Sequence, residues 1–184
     1  MFSLSLQYNK LRELRTNGFL AFTTALTQLD LSNNLLRNLP GKIFYNLTNL
    51  KSLSLAFNLF SSLPVGLFDR LCLLTVLYLH YNQLSGIPDN LFLHLDKLTT
   101  LYLNGNQIRN LTVETFRGNV NIVTLGLQCN KITTISAGIL AAMQVPFLTI
   151  AHTDCGPYLH SLKLAFLLLY RGGGYVRHHL HLRY

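Results

Sequence analysis

The sequence predicts an α/β solenoid in which a curved parallel β-sheet lines the concave face and short irregular or 3-10 segments return along the convex side. Three observations carry this expectation. Asparagines stand at Asn34, Asn58, Asn82, Asn106 and Asn130, each 24 residues after the last, and Asn9 precedes them by 25. A Leu-x-Leu alternation comes just before each, as in Leu29-Asp30-Leu31 and Leu101-Tyr102-Leu103. Phenylalanines at Phe44, Phe68, Phe92 and Phe116 keep the same 24-residue step, with Phe19 one residue further back. A fixed period of this size marks stacked units, each touching only its neighbours.

Counted from the first apolar position, units begin at Met1, Leu26, Leu50, Leu74, Leu98 and Ile122, and a degenerate seventh begins near Val145. Leu-x-Leu is a strand signal of period two: the leucines point inward and the residues between them point out. Each asparagine falls where the chain must leave the strand. Its amide can pair with backbone groups that a buried turn would otherwise leave unsatisfied, so Asn9, Asn34, Asn58, Asn82, Asn106 and Asn130 are expected to form a ladder. Pro40, Pro64 and Pro88 share one later position and prevent a long helix there. The phenylalanines beyond them are expected to stack behind the sheet as a second layer of core.

The repeated pattern L-x-x-L-x-L-x-x-N-x-L-x-x-L-P-x-x-x-F-x-x-L resembles the typical 24-residue leucine-rich repeat of animal extracellular proteins, over residues 1 to about 144. That family includes Toll-like receptors, variable lymphocyte receptors, Slit-type proteins and small leucine-rich proteoglycans. The resemblance implies a concave recognition surface, a protein or glycan partner, and an extracellular or cell-surface location. Extracellular members usually carry cysteine-rich caps, whereas Met1 here falls directly on a repeat position. A cytoplasmic scaffold or adaptor, or a regulatory fragment of a larger protein, is the alternative reading.

Residues 1–158 are assigned to the solenoid, with six clear repeats and the degenerate seventh. At its end Leu140 replaces the phenylalanine and Thr153 the asparagine, and Gly156-Pro157 breaks the pattern. Leu159, Leu162, Phe166 and Leu169 then recur at about helical spacing, so 159–170 is expected to be a capping helix. Residues 171–184, with a triple glycine and Arg177-His178-His179, read as a basic flexible tail.

Composition narrows the function. Half-hydrophobic and only 12% charged, the chain is an ordered one. Its three cysteines, Cys72, Cys129 and Cys155, lack C-x-x-C spacing and indicate neither a disulfide framework nor zinc. Residues 1–6 lack an export signal, and the apolar run 159–170 is shorter than the roughly 20 residues of a membrane span. The net charge of +8 raises nucleic acid as a partner. However, Lys10, Arg12, Arg37, Arg109 and Lys131 cluster along one edge beyond the strands, and that stripe does not make the dense basic groove a phosphate backbone needs. No nucleophile elbow, phosphate loop or paired carboxylates occur, so no enzyme activity, catalytic residue, metal or cofactor is expected.

The outward strand positions are the candidate site. Asp30, Lys51, Phe57, Tyr78, His80, Tyr81, Tyr102 and Gln128 are the candidate partner-binding residues. Strands about 4.8 Å apart make Tyr78 and Tyr102 neighbours, and likewise Phe57 and Tyr81. Exposed aromatics are common interface anchors, although such rings can also merely stack across strands. His80, without a second ligand, reads as a polar surface residue. Two sequons, at Asn46 and Asn110, fall on the convex side or edge, where a glycan would leave the strands clear. The oligomeric state is not encoded.

Overall fold

The structure is a computed structural model, and it describes residues 2–22, 25–133 and 138–139. Six strands form one parallel sheet in chain order: β1 (Phe2–Ser5), β2 (Leu26–Asp30), β3 (Ser52–Ser54), β4 (Val76–Tyr78), β5 (Thr100–Tyr102) and β6 (Thr124–Gly126). Register follows the repeat. Leu29, Leu53, Leu77, Leu101 and Leu125 pair in one row, and Asp30, Ser54, Tyr78, Tyr102 and Gly126 in the next.

The strands are only three to five residues long after β1, because each coil must turn out of the sheet at its asparagine. That turn passes through a left-handed residue two places after the second leucine of each Leu-x-Leu. Tyr8, Asn33, Phe57, Tyr81 and Cys129 hold φ between 52° and 57°, and Gly105 holds 67°. The asparagine that follows reaches into the stack. The Asn82 side-chain oxygen accepts from Phe60 N–H at 3.2 Å, and its Nδ2 donates to Leu55 O of the preceding coil and to Leu79 O of its own. Leu79 O also accepts from Asn106, so amides and carbonyls alternate from coil to coil. Asn34, Asn58, Asn106 and Asn130 repeat the arrangement. Asn9, at the bottom, is exposed and bonds only carbonyls of its own coil, Leu6 O and Gln7 O.

On the convex side each coil returns through turns and short 3-10 segments (Leu20–Phe22 and Val113–Phe116), and α-helical residues among the described ones are confined to Gly138 and Ile139. The prolines start these turns. Pro40 O, Pro64 O and Pro88 O accept from Ile43, Leu67 and Leu91 N–H, three residues on. Behind them Phe19, Phe44, Phe68, Phe92 and Phe116 stack with centroids 6.2 to 6.4 Å apart. The last four are wholly buried. Leucines fill the space between this column and the sheet in one continuous core.

Cys129 is disulfide-bonded, whereas the wide spacing of the cysteines had indicated no framework. Spacing in sequence says little in a solenoid, where residues a whole coil apart come together. The degenerate repeat near Val145, the capping helix at 159–170 and the tail at 171–184 lie outside the described residues.

The ladder predicts a gradient of cost. Asn82→Ala orphans a buried N–H and removes three carbonyl contacts, and should destabilise the chain by about 3 kcal/mol in urea unfolding. Asn9→Ala, at an exposed rung, should cost less than about 1 kcal/mol. Equal losses at the two positions would show that the buried hydrogen bonds are not what stabilises the stack.

Candidate functional site

Three columns of outward residues cross the sheet. The first is the row Ser5, Asp30, Ser54, Tyr78, Tyr102 and Gly126, set by strand register. The second, two residues further along each coil, is Ser32, Ala56, His80, Asn104 and Gln128. The third is the left-handed column that includes Phe57, Tyr81 and Gly105.

The four aromatics fall into two stacked pairs. Tyr78 and Tyr102 lie with centroids 5.6 Å apart and planes 12° from parallel. Phe57 and Tyr81 lie 4.7 Å apart and 19° from parallel. His80 stands between the pairs and meets all four rings edge-on: Phe57 at 5.2 Å, Tyr78 at 5.7 Å, Tyr81 at 5.8 Å and Tyr102 at 5.9 Å. Sequence spacing predicted the two pairs. It did not reveal that the histidine fills the gap, a consequence of the middle column lying between two aromatic ones.

Burial among these rings withdraws water from the imidazole and pulls its pKa below the ordinary value of 6.5. Its Nδ1 is buried and has no hydrogen-bond partner among the described residues, as do Asn104 Oδ1 and Gln128 Oε1 in the same column. The cluster therefore has an uncharged centre at neutral pH.

Both pairs end against a glycine. A β-carbon on Gly105 would come within 2.5 Å of the Tyr81 ring, and one on Gly126 within 2.7 Å of the Tyr102 ring. Each ring leans over the space that the next coil leaves open. Each glycine replaces a larger residue in a column that otherwise carries one, the signal by which the sequence marks these seats.

Other candidates are placed differently. Lys51 is exposed and lies one residue before β3, its backbone bonded to Thr27 and Thr75 of the neighbouring coils. It interrupts a run in which Thr27, Thr75 and Thr99 each donate a hydroxyl to the preceding coil's carbonyl. Gln128 lies two coils beyond His80. Asp30 accepts the Ser32 N–H at 2.8 Å on Oδ1. It sits in a hollow of about 460 Å³, walled by Phe57, Tyr78 and His80 and floored largely by serines, which the sequence reading did not single out. Lys131 on the basic edge is engaged with Gln107. Asn46 and Asn110 are exposed and outside the strands.

The leucine-rich-repeat pattern matches residues 2–60, 24–84, 48–108 and 96–154, and together these cover most of the chain. The chain belongs to the leucine-rich-repeat family. Solved structures agree. The leucine-rich repeat domain of APL1B is 28% identical with a TM-score of 0.67, the match covering 72% of this chain and 39% of that one. TLR13, solved in complex with ssRNA13, is 31% identical with a TM-score of 0.68 over 85% of this chain. The chain thus spans well under half the length of each, 39% and 23% respectively. No curated protein matches it. The leucine-rich-repeat fold is consistent with a protein-binding recognition module, and such domains are typically non-enzymatic. Among the described residues no group of three or more His, Cys, Asp or Glu could hold a metal ion, and no helix is long and apolar enough to cross a membrane.

Two measurements check this geometry. Because His80 is held neutral, the unfolded chain binds a proton more readily than the folded one. Stability should be full above the ordinary value of 6.5 and fall as pH drops below it, levelling once folded His80 also protonates. NMR titration should place the His80 midpoint below 6.5, and His80→Gln should flatten the slope of Tm between about pH 7.5 and 5. A midpoint at or above 6.5 would contradict the desolvated cluster. Gly105→Ala should cost about 1–2 kcal/mol through its positive φ and the Tyr81 clash, whereas Gly86→Ala, with open space around it, should be near neutral.

Proposed function

We propose that this chain is a non-enzymatic recognition module, part of an extracellular receptor-type or matrix protein, that holds a protein partner on its concave face. Phe57, Tyr78, Tyr81 and Tyr102 are the anchors, around His80. Asp30, Gln128 and the exposed Lys51 lie around them.

The observation that carries this reading is the backbone beneath Phe57 and Tyr81. Left-handed φ suits glycine and asparagine and disfavours bulky residues. Asn33 and Gly105 take that cheaper course in the same column. Three large rings, Tyr8, Phe57 and Tyr81, are kept where the backbone disfavours them and are still exposed, which a contact they make explains better than the fold does.

The stacking also favours protein over glycan. Sugars dock on open ring faces, but here most faces are covered by the neighbouring ring or by a glycine. Edges and hydroxyls are left to meet a partner, as in protein interfaces rich in tyrosine. RNA is not proposed. The ssRNA belongs to the TLR13 complex, and this concave floor bears the carboxylate of Asp30 without a basic groove. The disulfide at Cys129 supports an oxidising, extracellular setting over a cytoplasmic scaffold.

Replacing Phe57, Tyr78, Tyr81 and Tyr102 together with alanine should abolish binding to a partner recovered by proximity labelling, while each single replacement should cost about 1–2 kcal/mol. An affinity unchanged by the fourfold replacement, measured by surface plasmon resonance, would place the site elsewhere. Expressed through a secretory pathway, the chain should shift in mobility on glycosidase treatment, and Asn46→Gln with Asn110→Gln should remove the shift.

A further inference from the structure

We propose that the hollow beside the aromatic cluster is a slot for an arginine side chain of the partner, bound between the Asp30 carboxylate and the open face of Tyr78. The inference deepens the recognition reading and rests on it. Four observations on the concave face converge on this slot.

The first is the order of the row: Ser5, Asp30, Ser54, Tyr78, Tyr102. Asp30 stands between two short serines, so nothing in its own row covers it. The second is the state of the Tyr78 ring. One face lies on Tyr102, while the other looks toward Ser54, which is too short to cover it. Asp30 and Tyr78 are two strand spacings apart, about 9.6 Å. That gap between backbones admits one flat group tilted so that it rests on the ring and turns an N–H edge toward the carboxylate.

The third is hydrogen-bonding capacity. Oδ1 of Asp30 accepts the Ser32 N–H, a bond that fixes the carboxylate, and no other bond to that carboxylate is found among the described residues. Ser52, Ser54 and Gln28 add polar atoms around the floor. The fourth is charge. Asp30 is the one charged residue lining the hollow, within a chain of formal charge +8. Lys51, next in sequence to Ser52, does not line it. A cation entering here is attracted locally while the rest of the surface repels it.

These features select guanidinium over ammonium. A guanidinium is planar, stacks on an aromatic face and keeps N–H donors free at its edge for a carboxylate. An ammonium is a compact, strongly hydrated point charge and would use the carboxylate but not the ring.

The test uses the full chain and N-acetyl-arginine methylamide as the probe, followed by amide and aromatic NMR shifts. The expected dissociation constant is about 1–10 mM, as befits a fragment of that size. Shifts should gather at Ser32, Ser54, Ala56 and the Tyr78 ring. The citrulline analogue, the same shape without charge, should bind about 5–10-fold more weakly, and the lysine analogue should leave the Tyr78 ring signals unmoved.

Two variants probe the slot from different sides. Asp30→Asn retains an oxygen for the Ser32 N–H and should weaken the probe about 5–10-fold. Ser54→Tyr fills the slot with a residue this row already accommodates at two other positions, and should abolish binding. Unchanged melting temperatures confirm that both variants fold. Equal binding by citrulline, undiminished binding by folded Asp30→Asn or Ser54→Tyr, or shifts confined to the convex side would each overturn the slot. The slot is scored on binding of the arginine probe and the aromatic recognition reading on partner binding, so failure of the one is separated from failure of the other.

Discussion

The three-way hydrogen bond of a buried asparagine is the constraint on which the rest of this molecule depends. Its amide joins the N–H of one coil to the carbonyls of two, at a place where strand pairing has ended and water is excluded. Meeting that demand fixes the turn that precedes it, including the left-handed residue. The turn in turn fixes how short the strands are and which residues face outward. A nearly buried side chain thus determines the register of the exposed surface.

The surface uses that register economically. Three columns come out of each coil, and wherever consecutive coils place rings in one column the rings must stack. Two such pairs arise side by side with a histidine between them, and the water they exclude keeps the imidazole neutral. Beyond the pairs, serines take the same positions and the sheet opens into the hollow around Asp30. Ridge and hollow are alternative occupants of one lattice of positions.

Much of this was legible in the sequence because a repeat converts spacing into contact. Residues 24 apart are neighbours, so the stacking of Tyr78 on Tyr102 and of Phe68 on Phe92 could be read directly. What escaped depended on the differences between columns. Gly105 and Gly126 look like gaps in a pattern, yet they are the seats of Tyr81 and Tyr102. The serine hollow gave no signal because small polar residues on a strand resemble ordinary solvated surface. The bonded state of Cys129 leaves no mark in linear motif spacing, because the solenoid brings together residues far apart in sequence.

The phenylalanine column also settles a matter of shape. Its rings repeat every 6.2 to 6.4 Å, whereas strands in a parallel sheet repeat every 4.8 Å or so. Each coil is therefore a wedge, thicker at the back than at the front. Across a layer about 10 Å deep, a difference of that size turns each coil by roughly 9° relative to the last. The bulk of a residue hidden on the far side sets the bend of the face that a partner would meet. Trimming that bulk would flatten the arc without touching a single exposed atom.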